Sequence, residues 1–112
     1  PVVIVTSITA LTGGAGFLVP YATSKAAANT LVAGFAREVA AEGIRVNGVL
    51  PGVIDTEIHA TTGIADGLPA IAAQIPLGRL GTAEEVANAV AWLLSDRSSY
   101  VLGAIVPVTG GR

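Results

Sequence analysis

Residues 20–52 read "PYATSKAAANTLVAGFAREVAAEGIRVNGVLPG". Proline opens the run, and its fixed φ suits the first turn of a helix. Alanine-rich sequence then carries through Glu42 to Gly43, a residue suited to the left-handed cap that ends a helix. A helix is therefore predicted from Pro20 to Glu42. Leu31, Phe35 and Val39 recur every four residues and mark one face as buried. Ala22, Ala26 and Ala33 keep a second face small, so that another element can approach closely. Directly after the glycine, "IRVNGVLPG" (44–52) is an apolar run stopped by Pro51-Gly52, which reads as a strand and its turn.

The flanks extend the alternation. "VVIVTS" (2–7) is β-branched and apolar on both faces, as an inner strand of a parallel sheet would be. "ITALTGGAGFLVP" (8–20) reads as a loop rich in glycine and threonine. Residues 53–81 have little regular pattern, with room for a short helix over Leu68–Ile75. A loop of that length in a compact domain is usually functional, often a lid. "TAEEVANAVAWLLSD" (82–96) is a helix: Thr82 and Glu85 form a capping box. Val86, Ala89, Val90, Leu93 and Leu94 give its apolar stripe, with Trp92 beside it as a core or interface residue. "GAIVPVTGG" (103–111) is a last strand, and Pro107, unable to donate to a ladder, places it at a sheet edge. Strand, helix, strand, lid, helix, strand is the order of an α/β fold with parallel strands joined by right-handed crossovers.

Composition narrows the function classes. At 112 residues the chain holds at most one small domain. Its 52% hydrophobic and 12% charged content indicates a buried core rather than disorder. A net charge of −2 with scattered arginines argues against nucleic acid and anionic membranes as partners. Without cysteine there is no disulfide frame and no thiolate chemistry, which suits a cytoplasmic protein. No apolar run approaches the roughly 20 residues needed to span a bilayer. The chain opens on a strand without an initiator methionine, so it is expected to be a piece of a longer polypeptide.

Lys25 is the one lysine, and it follows Tyr21 by four positions. Residues so spaced share a helix face. A free phenol, with a pKa of about 10, is a poor base at neutral pH. A nearby ammonium and the positive end of a helix both favour the phenolate. Such a pair can give and take a proton, and a compact ammonium can also bind a vicinal diol. Ser7 and the Pro51-Gly52 turn fall at the carboxyl ends of their strands, where ligands sit in open parallel sheets. Three segments thus converge on one crevice. The Asp55-x-Glu57-x-His59 alternation has no second histidine or cysteine behind it and is read as lid surface, not as a metal site. A place for His59 against substrate is a lesser expectation. Glu84 and Glu85 are helix N-terminal acids, Arg79 a structural ion-pair partner, and Asn47 a partner for backbone groups near its strand end.

These motifs resemble the short-chain dehydrogenases/reductases. "YATSK" (21–25) looks like that family's active-site signature, and "GIRVNGVLPGVIDT" (43–56) its next strand and nicotinamide-side turn. "PLGRLGTAEEVANAVAWLLSDRSSYVLGAIVPVTGG" (76–111) resembles its C-terminal segment. The likeness covers nearly the whole chain, but only the C-terminal half of the family's Rossmann-like doubly wound sheet: three strands with flanking helices in residues 1–112, the N-terminal half absent.

The resemblance implies an NAD- or NADP-dependent enzyme that moves hydride reversibly between a carbonyl and an alcohol, closest to the sugar-alcohol dehydrogenases and acyl-carrier-protein ketoreductases. Tyr21 would be the general acid/base, Lys25 would bind the nicotinamide ribose and favour the phenolate, and Ser7 would hydrogen-bond the substrate oxygen. The Ile54 backbone and Thr56 would contact the nicotinamide carboxamide, with Pro51 and Gly52 shaping the turn, and residues 57–75 would be the substrate lid. Ser7 stands one position further from the tyrosine than is common in the family; either slack at Gly13-Gly14 absorbs this, or Ile8 takes the usual position with Thr9 as a weaker substitute. The family's pyrophosphate loop, ribose selector and catalytic asparagine lie upstream and are not in this chain, so the chain alone is expected to be inactive. Its first strand would be central in the whole sheet, and an open edge there would be a template for pairing. The parent is expected to be a cytoplasmic homotetramer or homodimer, assembled through the tyrosine-bearing helix and through the last helix and strand. The rival readings are a catalytically silent Rossmann-like binding or regulatory module and an inactive structural fragment.

Overall fold

The computed structural model describes residues 1–63 and 65–112, with residues 61, 62 and 65 as backbone only. Strand β1 (Val2–Val5) leads into a short helix, α1 (Thr9–Thr12), within the segment expected to be a plain loop. Gly13 closes that turn at φ 79°, a left-handed conformation open to glycine at little cost. Helix α2 (Val19–Glu38) follows and delivers the chain to β2 (Val46–Pro51). A two-residue strand, β3 (Ile54–Asp55), precedes helices α3 (Ile58–Thr62) and α4 (Leu68–Ala72). Then come the two-residue β4 (Gly81–Thr82), α5 (Ala83–Leu94) and β5 (Ile105–Val108).

The main sheet is parallel, in the order β1-β2-β5. Val2 stands opposite Val46, and Gly48 opposite Ile105. β2 is the central strand, and its residues 46–50 are buried. β5 is an edge, as Pro107 required. Within this chain β1 is the opposite edge, with the outer side left open as expected, and Val2 and Val5 are exposed. A β-branched run reports that both faces are apolar; it does not report how many neighbours the strand has.

Helix α2 departs from expectation twice. It stops at Glu38, and a 3-10 turn, Ala40–Glu42, carries the chain to Gly43, which caps at φ 75°. Val39 leaves helical geometry at φ −100° and packs with Ala36 and Val46 in the core. The buried face is also not the one predicted. Ala22, Val32 and Ala36 are buried, whereas Leu31 and Phe35 are 54% and 37% exposed. The two sets differ by one residue, a rotation of about 100°. Small residues face the sheet because the helix lies close to it: a Cβ on Gly48 would come within 3.3 Å of the Val32 side chain. Ala22 meets a close neighbour, since a Cβ on Gly14 would sit 3.0 Å from its own; Ala26 is half-buried and Ala33 exposed.

The C-terminal half follows the sequence reading more closely. The capping box of α5 is formed, with Glu85 N–H donating to Thr82 Oγ1 at 3.2 Å and Thr82 N–H to Glu85 Oε2 at 2.8 Å. Leu93 is fully buried, Val86, Ala89 and Val90 are half-buried, and Leu94 and Trp92 reach the surface. The Arg45 guanidinium donates to the carbonyls of Leu93 and Ser95 at 3.1 and 3.0 Å, tying the end of α5 to the start of β2. Asn47, wholly buried, donates to the Val101 carbonyl and accepts from the Ala104 N–H, as expected of it.

β3 and β4 pair parallel, Ile54 with Gly81 and Asp55 with Thr82. Residues 56–80 therefore form a loop closed at its neck. The helix expected over 68–75 ends at Ala72, and single turns carry the chain on to Ile75. Ile64, inside the expected lid, lies outside the described residues. Among the described residues no helix is long and apolar enough to cross a membrane.

Candidate active site

Parallel strands bring the carboxyl ends of β1, β2 and β5 to one side. Beyond β1, Thr6 N–H donates to the Val49 carbonyl at 2.8 Å and Ile8 N–H to the Pro51 carbonyl at 2.9 Å. Ser7, between them, is held beside the Pro51-Gly52 turn. Gly52 N–H donates to the Val108 carbonyl, and a Cβ at Gly52 would stand 2.8 Å from the Thr109 Cα. Only glycine lets these two backbones pass so closely.

A cavity of about 390 Å³ opens at this edge, and Ser7, Tyr21, Gly52, Ile54 and Thr56 line it. The β1 end, the start of α2 and the β2 turn thus meet as the sequence reading expected. Lys25 and Pro51 are not among the described lining residues. Pro51 acts through its carbonyl, which holds Ile8. Lys25 Nζ donates to the Val5 carbonyl at 2.9 Å and lies 5.7 Å from the centroid of the Tyr21 ring. The ammonium is thereby fixed between the end of β1 and the phenol, with one of its three donors on Val5.

Ser7 Oγ accepts from the Thr9 N–H at 3.2 Å and from the Thr9 hydroxyl at 2.9 Å. With both lone pairs engaged, the Ser7 hydroxyl is set to donate rather than accept. Ile8 and Thr9 line the cavity as well. Between Ser7 and the tyrosine the chain holds α1 and three left-handed glycines, Gly13, Gly14 and Gly16.

The segment expected to be the lid contributes Ile58, His59 and Ile71 to the lining. His59 Nε2 lies 2.6 Å from the Ile54 carbonyl oxygen. Asp55 and Glu57 are exposed, and among the described residues no group of three or more His, Asp or Glu could hold a metal. The sequence reading missed Phe17, Leu18 and Arg112, which also line the cavity. Phe17 and Leu18 sit in a segment without periodicity, and Arg112 comes from the far end of the chain, so no local pattern pointed to them.

At the lid's base, Arg79 donates to both oxygens of Glu85, at 2.9 and 2.7 Å. That hydrogen bonding, with a further bond from the Thr82 backbone, holds the Glu85 carboxyl at a pKa of about 2, below its usual 4.5. Arg79 is thus the ion-pair partner the sequence indicated.

A family model described as enoyl-(acyl carrier protein) reductase matches residues 1–112. The chain is 48% identical over 111 residues to the uncharacterised oxidoreductase YgfF of Escherichia coli, covering 99% of this chain and 45% of that protein. It is 48% identical over 91 residues to the 3-oxoacyl-[acyl-carrier-protein] reductase FabG of Pseudomonas aeruginosa, covering 81% and 36%. A crystal structure from Brucella melitensis, described as a short-chain dehydrogenase/reductase of the glucose/ribitol dehydrogenase type, superposes with a TM-score of 0.89 at 34% identity, covering 97% of this chain and 43% of that one. Another, from Agrobacterium tumefaciens with bound NADP, gives 0.87 at 35%, covering 97% and 44%. A parallel α/β sheet with a cavity at its carboxyl edge is the Rossmann-like arrangement these solved structures share. The chain belongs to the short-chain dehydrogenase/reductase family. It spans 45% and 36% of the length of these two curated relatives.

Proposed function

We propose that this chain supplies the proton-handling and nicotinamide-side part of an NAD(P)-dependent oxidoreductase that interconverts a carbonyl and an alcohol. One observation carries the reading: Tyr21 and Ser7 line the same cavity, and the Lys25 ammonium is fixed 5.7 Å from the Tyr21 ring. A bound reduced nicotinamide supplies hydride to the carbonyl carbon. Tyr21 gives its proton to the carbonyl oxygen and recovers it in the reverse reaction. Lys25 places a positive charge beside the phenolate that this transfer leaves. Ser7 donates a hydrogen bond to the oxygen while negative charge develops there. Lys25, Thr56 and the Ile54 backbone would hold the ribose and carboxamide of either dinucleotide, with Pro51 and Gly52 shaping the turn. The loop 56–80, closed by β3 and β4, covers the reacting carbonyl and excludes water.

Tyr21→Phe tests this in the enzyme that carries the chain. It keeps the ring and removes the proton. Turnover is expected to fall by about 10²–10⁴-fold, with circular dichroism and dinucleotide binding retained. Turnover at the unmutated rate would falsify the assignment.

The absence of cysteine supports a cytoplasmic location. Exposed Leu31 and Phe35 on α2, and exposed Trp92 on α5, support assembly as a homotetramer or homodimer through those helices and β5.

A further inference from the structure

We infer that His59 is a positioning residue: its ring fixes the Ile54 carbonyl, and with it the backbone that meets the nicotinamide carboxamide. The inference rests on the reading of Ile54 as a carboxamide contact. The bond itself is the first observation. His59 Nε2 lies 2.6 Å from the Ile54 carbonyl oxygen. A carbonyl only accepts, so Nε2 carries the proton and donates it. The bond runs from the first turn of α3 back to the end of β3, and the His59 backbone N–H donates to the Thr56 carbonyl at 3.4 Å. Residues 54–59 are thereby closed into a ring, and Ile54, Thr56, Ile58 and His59 all line the cavity. The imidazole is half-buried, which partly shields its bond from competing water.

The direction of the Ile54 carbonyl is the second observation. Ile54 is opposite Gly81 in the β3–β4 pair, and the Gly81 N–H donates to the Val53 carbonyl at 3.0 Å. β4 thus takes its bond from the residue before Ile54, and the Ile54 carbonyl points the other way, to α3. A carbonyl oxygen has two lone pairs. His59 engages one of them at short range. The Thr56 hydroxyl, at 3.5 Å, is only at the edge of hydrogen-bond distance from this oxygen. The oxygen therefore keeps capacity for a stronger donor such as a primary amide, while His59 holds it in place.

Binding to the whole enzyme tests this, by titration of the reduced dinucleotide it uses and of the matching ADP-ribose, which lacks the nicotinamide. His59→Phe keeps a ring and removes the donor. It is expected to weaken the dinucleotide about two- to tenfold and to leave ADP-ribose unchanged. His59→Gln, which can place an amide N–H near Nε2, should restore most of the loss. Should the phenylalanine variant not fold, His59→Asn, polar but too short to reach Ile54, takes its place with the same expectation. Equal weakening of both ligands would make the ring a general staple of the loop and overturn the inference. Tighter dinucleotide binding would overturn it too, by showing that His59 competes with the carboxamide, and so would unchanged binding. The reading beneath it is tested separately with the 3-acetylpyridine dinucleotide, whose ketone cannot donate. The unmutated enzyme should bind that analogue more weakly than the parent oxidised dinucleotide, and His59→Phe should narrow the gap. No gap in the unmutated enzyme would reject Ile54 as the carboxamide's acceptor; a gap that His59→Phe leaves at full size would reject His59 alone.

Discussion

Tyr21 and Lys25 lie one turn apart at the start of α2, but their geometry depends on a residue sixteen or more positions away. The Val5 carbonyl anchors the ammonium, so the end of β1 sets where the charge sits against the phenol. Lys25→Met removes both that bond and the charge. It is expected to lower turnover severely and to raise KM for the dinucleotide, whereas a merely structural lysine would leave KM unmoved. Ser7 depends in the same way on Thr9, whose two donors occupy its lone pairs. Thr9→Val removes the hydroxyl donor and keeps the shape. A hydrogen bond of this kind is worth about 0.5–1.5 kcal/mol, so a loss of up to about tenfold in kcat/KM is expected. Gly52 shows a different constraint. Gly52→Ala drives a methyl into the Thr109 backbone, and destabilisation of about 1–3 kcal/mol is expected, read as a lowered denaturation midpoint. That Ser7, Tyr21 and Gly52 meet at one edge was legible in the sequence, because each belongs to a short local pattern. Arg112 was not, because its place at the cavity arises from chain closure alone.

Elements hold the site through their ends. Helix α5 begins with Glu85 bonded to Thr82 and to Arg79, which lies at the base of the lid. The folded-state pKa of Glu85 is lowered from 4.5 to about 2. Its stabilising contribution is therefore complete above pH 4.5 and is lost as the pH falls toward 2. Both partners are exposed, so the effect is modest. Urea midpoints measured from pH 6 to pH 2 should decline through that window, and Glu85→Gln should flatten the decline; an unchanged slope in the variant would exclude the ion pair as its source. The capping box that makes this possible was readable as Thr82 and Glu85 three apart. The buried face of α2 was not readable in the same way. Period alone could not choose between the stripe of Leu31 and Phe35 and the stripe of Val32 and Ala36, one residue round the helix. The close approach of the sheet at Gly48 favoured the smaller one.

At the scale of the molecule, the apolar residues displaced from the core become surface. If α2 mediates assembly, Leu31→Glu with Phe35→Glu should reduce the oligomer seen in native mass spectrometry while each subunit stays folded, since neither side chain belongs to the buried set. An undisturbed oligomer would place the interface elsewhere. Composition, the alternation of strand and helix, and the local motifs were enough to fix an α/β fold with parallel strands and a meeting of segments at their carboxyl ends. These features depend on neighbours within a few residues, where backbone preference and side-chain period act directly. Strand neighbours, the face α2 buries and the gathering of Phe17, Ile71 and Arg112 around one cavity were settled only when the chain closed on itself. Those features depend on packing between segments dozens of residues apart, and no local period encodes which distant surface a side chain will meet.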